Sequence, residues 1–491
     1  MFESAELGHR IKKAVYDEEV PELRKALLDA QVNLRKSGNF QVIILIGGVD
    51  GAGKGETVKI LNEWMDTRFI ETNAMGVPTE EELAHPSMWR FWRALPPKGK
   101  IGVFFGSWYT EPIVNRVYGT IKGSELDQAT ERIIRFEKML YDEGALILKF
   151  WMHLSKAAQK KRLERLERDP ETRWRVRDIE WAHFKLYDKF RQVSERALLH
   201  TSKAEAPWII VEGTDPRYRY LTVGKTILNA LCTRLDAGTP NTVSKLPPVL
   251  PPVDGKFLLT SLDFSQSTTK EDYDQKLVKY QRKLNLLVRS PKFKKISAIL
   301  VFEGSDAAGK GGGVRRVTGA LDPRSYRIIP IAAPTEEEKA QPYLWRFWRH
   351  TPRNGNFTIF DRSWYGRVLV ERVEGFCSEA DWMRAYGEIN DFEEQITRCG
   401  AVLIKFWLSI TKDEQLKRFK ERETTAFKHF KITEEDWRNR KKWSAYEIAV
   451  GEMIDRTSTD IAPWTVVEAN NKYYARLKIM REICTRLAAA L

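Results

Sequence analysis

Cysteine is scarce in this chain: Cys232, Cys377, Cys399 and Cys484 are the four among 491 residues. No two of them form a C-x-x-C pair, and the seven histidines show no ligand spacing beside them, which argues against zinc. So few cysteines make no disulfide framework and fit a reducing compartment. Long apolar runs are missing too, and none approaches the ~18 residues that a membrane span needs. The opening Met1-Phe-Glu-Ser-Ala-Glu-Leu-Gly-His9 has acidic residues and no apolar centre, unlike a signal peptide. A soluble, cytoplasmic protein is expected. Acidic residues are outnumbered, 67 against 81 basic ones, for a net charge of +14. That balance suits an anionic partner: nucleic acid, anionic lipid or a phosphate polymer.

What the chain does have is one unit written twice. Gly48-Val-Asp-Gly-Ala-Gly-Lys-Gly55 returns as Gly304-Ser-Asp-Ala-Ala-Gly-Lys-Gly311, 256 residues later. The same offset links Trp89-Arg-Phe-Trp-Arg93 to Trp345-Arg-Phe-Trp-Arg349, Ser107-Trp-Tyr109 to Ser363-Trp-Tyr365, and Lys149-Phe-Trp151 to Lys405-Phe-Trp407. Ala206-Pro-Trp208 and Ala462-Pro-Trp464 follow suit, and Cys-Thr-Arg-Leu closes both copies. The repeat is roughly 230 residues long, too long for a solenoid unit. The expected domains are residues 1–235 and 257–491. Between them lies a Pro-rich linker, 236–256, whose five prolines argue for a semi-rigid spacer.

Within each copy, β-prone apolar runs alternate with helical patterns. In the second copy the expected strands are 297–303, 327–332, 357–361, 401–408 and 464–468. Amphipathic helices are expected over 20–35 and 273–289. Thr335-x-x-Glu338 and Thr433-x-x-Asp436 are helix-start signals. Five strands separated by helices read as an α/β fold: a three-layer α/β/α P-loop kinase-like domain with a parallel sheet, duplicated in tandem. Ligands should lie at the carboxyl ends of the strands.

The repeated Gly stretch is a phosphate-binding loop. It follows a β-prone run and precedes a helical one, as the G-x-x-x-x-G-K frame requires. Gly304, Ala307, Ala308, Gly309 and Gly311 would turn backbone N–H groups toward an anion, and Lys310 adds a full charge. Gly311 stands where Ser or Thr normally ligates Mg²⁺. Asp306 lies inside the loop, where a carboxylate would repel phosphate unless a metal came between them. The ion is therefore expected on Asp306, with Asp361, at the end of the 357–361 run, as its second ligand. Asp361 could instead act as a base toward an acceptor phosphate, or simply cap a helix. Arg362 beside it suits phosphate. Arg346, on one face with Arg349, is a further candidate phosphate contact, while Trp345 and Trp348 read as packing. The basic, aromatic stretch 427–443 resembles a water-excluding lid, with Lys428, Lys431, Arg438 and Arg440 as its cations. Arg367, Glu371 and the Asn390 cluster fall where an acceptor site or a plain helix surface would be.

The first copy keeps Asp50 and Lys54 but has Phe105 for Asp361, Gly106 for Arg362, and Glu111 for Arg367. A phenyl ring neither holds a metal nor takes a proton, so this copy is expected to be catalytically inert. Its basic Arg173, Arg175 and Arg177 leave weak polyanion binding open.

These motifs resemble family-2 polyphosphate kinases. The likeness rests on the loop ending in Gly311, Trp345-Arg-Phe-Trp-Arg349, Phe360-Asp-Arg-Ser-Trp-Tyr-Gly366 and Ala462-Pro-Trp464, and it covers both copies. It implies phosphate transfer from inorganic polyphosphate to a nucleotide; the branch with two fused units phosphorylates AMP to ADP. It further implies Asp306, Lys310, Asp361 and Arg362 as the catalytic set, Mg²⁺ or alternatively Mn²⁺ as cofactor, and a homo-oligomer with neither nucleic acid nor membrane as partner. Two other readings stay open on the residues alone: an ATP-dependent small-molecule kinase, against which Gly311 counts, and a non-catalytic polyanion binder, against which Asp306 and Asp361 count.

Overall fold

A computed structural model describes residues 1–237, 258–425 and 432–491. The Pro-rich linker beyond Ala237, together with Lys428 and Lys431, lies outside the described residues. Two compact units emerge, neither of them contiguous: the first includes Thr335–Trp345 and the second includes Thr79–Trp89.

Each unit builds a five-stranded parallel sheet. In the first, β1 (Val42–Gly48), β2 (Ile70–Ala74), β3 (Ile101–Phe105), β4 (Leu146–His153) and β5 (Trp208–Glu212) are arranged β2-β3-β1-β4-β5. In the second, β6 (Ser297–Gly304), β7 (Tyr326–Pro330), β8 (Phe357–Asp361), β9 (Ala401–Ser409) and β10 (Trp464–Glu468) repeat that order as β7-β8-β6-β9-β10. The central strands are nearly continuous apolar runs because helices cover both sheet faces. In β6, Ala298 through Phe302 are at most 1% exposed.

The strand expected over 327–332 is displaced, running from Tyr326 to Pro330. Proline ends it without loss because β7 is an edge strand and needs no further ladder donor there. The first helix is longer than its apolar pattern, spanning Lys13–Ser37 with Pro21 inside, and closes on Gly38 in a left-handed conformation. The helix expected over 273–289 runs from Lys270 to Val288, its start capped by Thr269. The Trp345 helix is only four residues, Trp345–Trp348, so Arg349 falls beyond it.

One polar knot is buried beside each sheet. Lys405 Nζ donates to Glu393 Oε2 at 2.7 Å, Tyr365 OH at 2.9 Å and the Thr457 carbonyl at 2.7 Å. Glu393 Oε1 also accepts from Trp364 Nε1 at 3.0 Å. Lys149, Glu137, Tyr109, Thr201 and Trp108 reproduce this arrangement in the first unit. The shared Ser-Trp-Tyr and Lys-Phe-Trp boxes are thus scaffold, common to both copies.

Candidate active site

The parallel register brings the functional residues to one edge of the second sheet. Phe302 pairs with Asp361 and Gly304 with Leu408, so the loop leaves β6 beside the end of β8. Gly304 has φ near +149°, and a Cβ there would stand 2.4 Å from the Leu408 carbonyl, so only glycine fits. Gly309, also left-handed, precedes the helix Lys310–Thr318. Lys310 Nζ donates to the Gly304 carbonyl at 2.6 Å, folded back over the loop. Ala307 and Arg362 are the two non-glycine residues with positive φ among those described, at 64° and 63°. Backbone strain of about 1–3 kcal/mol per residue is thereby held at the loop and at the β8 turn.

Four carboxylates surround Arg362. Its guanidinium lies 3.6 Å from Asp306 and 4.0 Å from Glu435. Burial alone would lower its pKa, but Asp306, Glu303, Glu435 and Asp361 together raise it. Glu303 is buried at the end of β6 and accepts a hydrogen bond from Ser363 Oγ at 2.8 Å. Burial pushes its pKa up, against the opposing pull of Lys310.

A pocket of about 360 Å³ opens over this cluster, lined by Glu303, Asp306, Lys310 and Arg362 on one side and by Glu435, Asn439, Trp443 and Tyr446 on the other. The second group lies on the helices Glu434–Lys441 and Trp443–Thr457. Asn439 Nδ2 donates to Asp306 Oδ2 at 3.0 Å, tying its helix to the loop.

 The helix Glu434–Lys441 therefore reaches the phosphate loop through an amide.

The other expected residues are placed differently. Arg438 and Arg440 flank Asn439 but point elsewhere: Arg438 lies 3.2 Å from Glu374, and Arg440 donates to the Lys412 carbonyl at 2.6 Å. Arg367 and Glu371 pair with each other at 3.0 Å, and neither lines the pocket. Buried Arg346 donates to the Ala332 carbonyl at 3.1 Å, and its neighbours Phe347 and Trp348 pack in the core. Asn390 Nδ2 donates to the Arg456 carbonyl at 3.0 Å. Glu303, Glu435, Asn439, Trp443 and Tyr446 are pocket residues that the sequence reading did not single out.

Comparison with known proteins follows the same division. Both halves match the family model described as Polyphosphate kinase 2 (PPK2), over residues 10–237 and 267–491. The chain belongs to the polyphosphate kinase 2 family. It is 57% identical to the polyphosphate:AMP phosphotransferase of Pseudomonas aeruginosa PAO1, covering 100% of this chain and 99% of that one. Its identity to the polyphosphate:AMP phosphotransferase of Pseudomonas syringae pv. tomato is 55%, with the same coverage. Its structure superposes on a Pseudomonas aeruginosa PA01 crystal structure described as a polyphosphate kinase 2 with a TM-score of 0.90 and 55% identity, covering 100% and 99% of the two chains.

Within this polyphosphate kinase 2 chain the first unit's loop is differently engaged. Asp50 is held by Lys54 at 3.2 Å and by His183 at 2.7 Å. Burial opposes ionisation of Asp50, but those two partners outweigh it and hold its pKa below the usual range. His183 occupies the position of Asn439, Gly47 that of Glu303, and Phe105 that of Asp361. For a metal, no group of three or more His, Cys, Asp or Glu side chains among the described residues is arranged to hold an ion by itself. Mg²⁺ needs fewer, since one or two carboxylates plus waters and phosphate oxygens complete its shell. The acidic surplus around Arg362 fits a cation bound there together with phosphate.

Proposed function

We propose that the second unit transfers the terminal phosphate of inorganic polyphosphate to AMP, yielding ADP and a chain one phosphate shorter. Full-length similarity to two polyphosphate:AMP phosphotransferases carries this reading. An oxygen of the AMP phosphate attacks the terminal phosphorus, and the bridging P–O bond to the next phosphate breaks. The chain's residues position and neutralise rather than react covalently. Lys310, released from the Gly304 carbonyl, meets the donor phosphates beside the loop N–H groups. Arg362 supplies a second cation at the moving phosphoryl group. Asp306 and Asp361 would hold Mg²⁺, with Mn²⁺ as the alternative, and the bound ion would offset charge on the phosphate oxygens. The Trp443 and Tyr446 side of the pocket excludes water, which would otherwise consume the donor. A cytoplasmic homo-oligomer, binding neither nucleic acid nor membrane, completes the proposal.

The test supplies AMP, polyphosphate and Mg²⁺ without any nucleoside triphosphate and measures ADP. Absence of ADP overturns the reading. Lys310→Ala and Arg362→Ala should each lower kcat by about 10²–10³, the loss seen when one transition-state donor is removed. Lys54→Ala should retain turnover; equal loss there would refute assignment of chemistry to the second unit.

A further inference from the structure

The first unit carries a second, larger cleft, whose lining residues Arg162 and Gly213 stand against loop residues Gly51 and Ala52. It encloses about 1090 Å³ between the helix Lys156–Arg168, the end of β5 and the start of the helix Pro216–Asp236. Lys161, Arg165 and Arg168 line it at i, i+4 and i+7 on one helix face, spanning about 10 Å at 1.5 Å per residue. Arg10, Lys12 and Arg217 add charge from the opposite side. The acids of the cleft are engaged elsewhere: Asp215 accepts from the N–H groups of Arg217 and Tyr218, Asp169 accepts from the Glu171 N–H, and Glu164 faces Lys160. Lys161, Arg165 and Arg168 are exposed.

Part of this charge is peculiar to the first unit, while Lys161 keeps a lysine in the second as Lys417 and Arg162 an arginine as Arg418. At the repeat offset, Arg165 and Arg168 become Glu421 and Thr424 in the second. Arg217 follows the helix-capping Asp215 as Tyr473 follows the helix-capping Asn471, so that cation too is replaced. Arg165 and Arg168, which the catalytic copy lacks, are not a remnant of catalysis.

We infer that this cleft is a binding site for a linear phosphate chain. The identity of the chain as inorganic polyphosphate rests on the proposed function. Lining chemistry favours it over single-stranded nucleic acid, because among the described residues no aromatic side chain lines the cleft and bases bind largely by stacking on such rings. Unstacked phosphates held by Arg and Lys need only the closely spaced cations present here. The first unit thus keeps a polyanion role after losing Asp361 and Arg362 equivalents.

The experiment titrates long-chain inorganic polyphosphate against the full chain over a salt series. Arg165→Glu/Arg168→Glu should bind about tenfold or more weaker, and the log–log salt slope should fall by about 1.5, two contacts at ~0.7–0.9 each. Arg165→Gln/Arg168→Gln should show a smaller loss in the same direction, which guards against misfolding of the reversed variant. Lys138→Glu/Arg196→Glu makes an equal charge change on the same unit outside the cleft and should stay within about twofold of the parent. Equal weakening by that control, or unchanged affinity in the cleft variants, overturns the proposal. So does displacement of polyphosphate by a single-stranded oligonucleotide at equal phosphate concentration. If the parent forms no ADP, the functional reading fails while these titrations still decide the cleft.

Discussion

Replacing Lys405 with methionine isolates what the buried polar knot does. Lys405 is 0% exposed and Glu393 is 1% exposed, 2.7 Å apart. Burial pushes the Glu393 pKa up and the Lys405 pKa down, each partner restoring part of the other's charge. Lys405→Met leaves Glu393 buried without its cation, a change that costs about 3–5 kcal/mol. For a domain of this size each kcal/mol moves Tm by about 2–4 °C, so the second unit's transition should fall by about 6–20 °C. Differential scanning calorimetry of the full chain reads it. Lys149→Met should produce a comparable fall in the first unit, where Lys149 and Glu137 are likewise 2.7 Å apart and buried. Adding Glu393→Gln to Lys405→Met should recover much of the loss, because the amide is neutral and its oxygen still accepts from Trp364 and Tyr365. Unmoved transitions together with abolished ADP formation would refute a scaffold role and place Lys405 in the chemistry.

Three further outcomes follow from the site. The raised pKa of Glu303 means that its contribution to stability is present at low pH and lost as pH rises through the folded-state value; Glu303→Gln should therefore stabilise the unit increasingly as pH rises from the ordinary carboxylate range to that value, and by a constant amount above it, in urea midpoints measured over a pH series. A stability difference independent of pH would refute that. Asn439→Ala removes the 3.0 Å bond to Asp306, worth about 1–2 kcal/mol, and should lower kcat/KM for polyphosphate about 5–30-fold; an unchanged value would refute the contact between this helix and the loop. Phe105→Asp/Gly106→Arg should add no turnover in a Lys310→Ala background, and ADP formation faster than that of Lys310→Ala alone would show that two residues suffice.

The duplication made the site legible, and the limits of legibility were physical. The strands were readable because doubly covered parallel strands must be apolar throughout. Asp361 and Arg362 stood out because Phe105 and Gly106 occupy their places. Glu303 would have stood out in the same way against Gly47, but a single acid at a strand end carries no spacing signal. Arg438 and Arg440 drew attention by charge, yet the helix turns the neutral Asn439 between them toward Asp306. Its face could have been found from the spacing of Glu435, Asn439, Trp443 and Tyr446. The Trp-Arg-Phe-Trp-Arg box promised a helix, but Pro342 before it and Pro352 after it confine it to one turn.

Setting the two copies side by side separates scaffold from chemistry. The Lys–Glu–Tyr–Trp knot is identical in both, so its persistence tracks burial, which neither unit can give up. What differs clusters at one sheet edge: Glu303, Asp306 with Asn439, Asp361 and Arg362 against Gly47, Asp50 with His183, Phe105 and Gly106. The backbone agrees with the side chains. Ala307 and Arg362 hold positive φ in the second unit, and their counterparts Gly51 and Gly106 relieve that strain in the first. A Cβ at Gly106 would stand 2.5 Å from the Met75 carbonyl, so the first unit's turn has closed around glycine. At Arg362 the positive φ accompanies a side chain that faces Asp306 in the pocket, a contact that the glycine in the first unit cannot make. The first unit keeps Asp50 but has Gly47 and Phe105 for Glu303 and Asp361, and the arginine and the strain are absent with them.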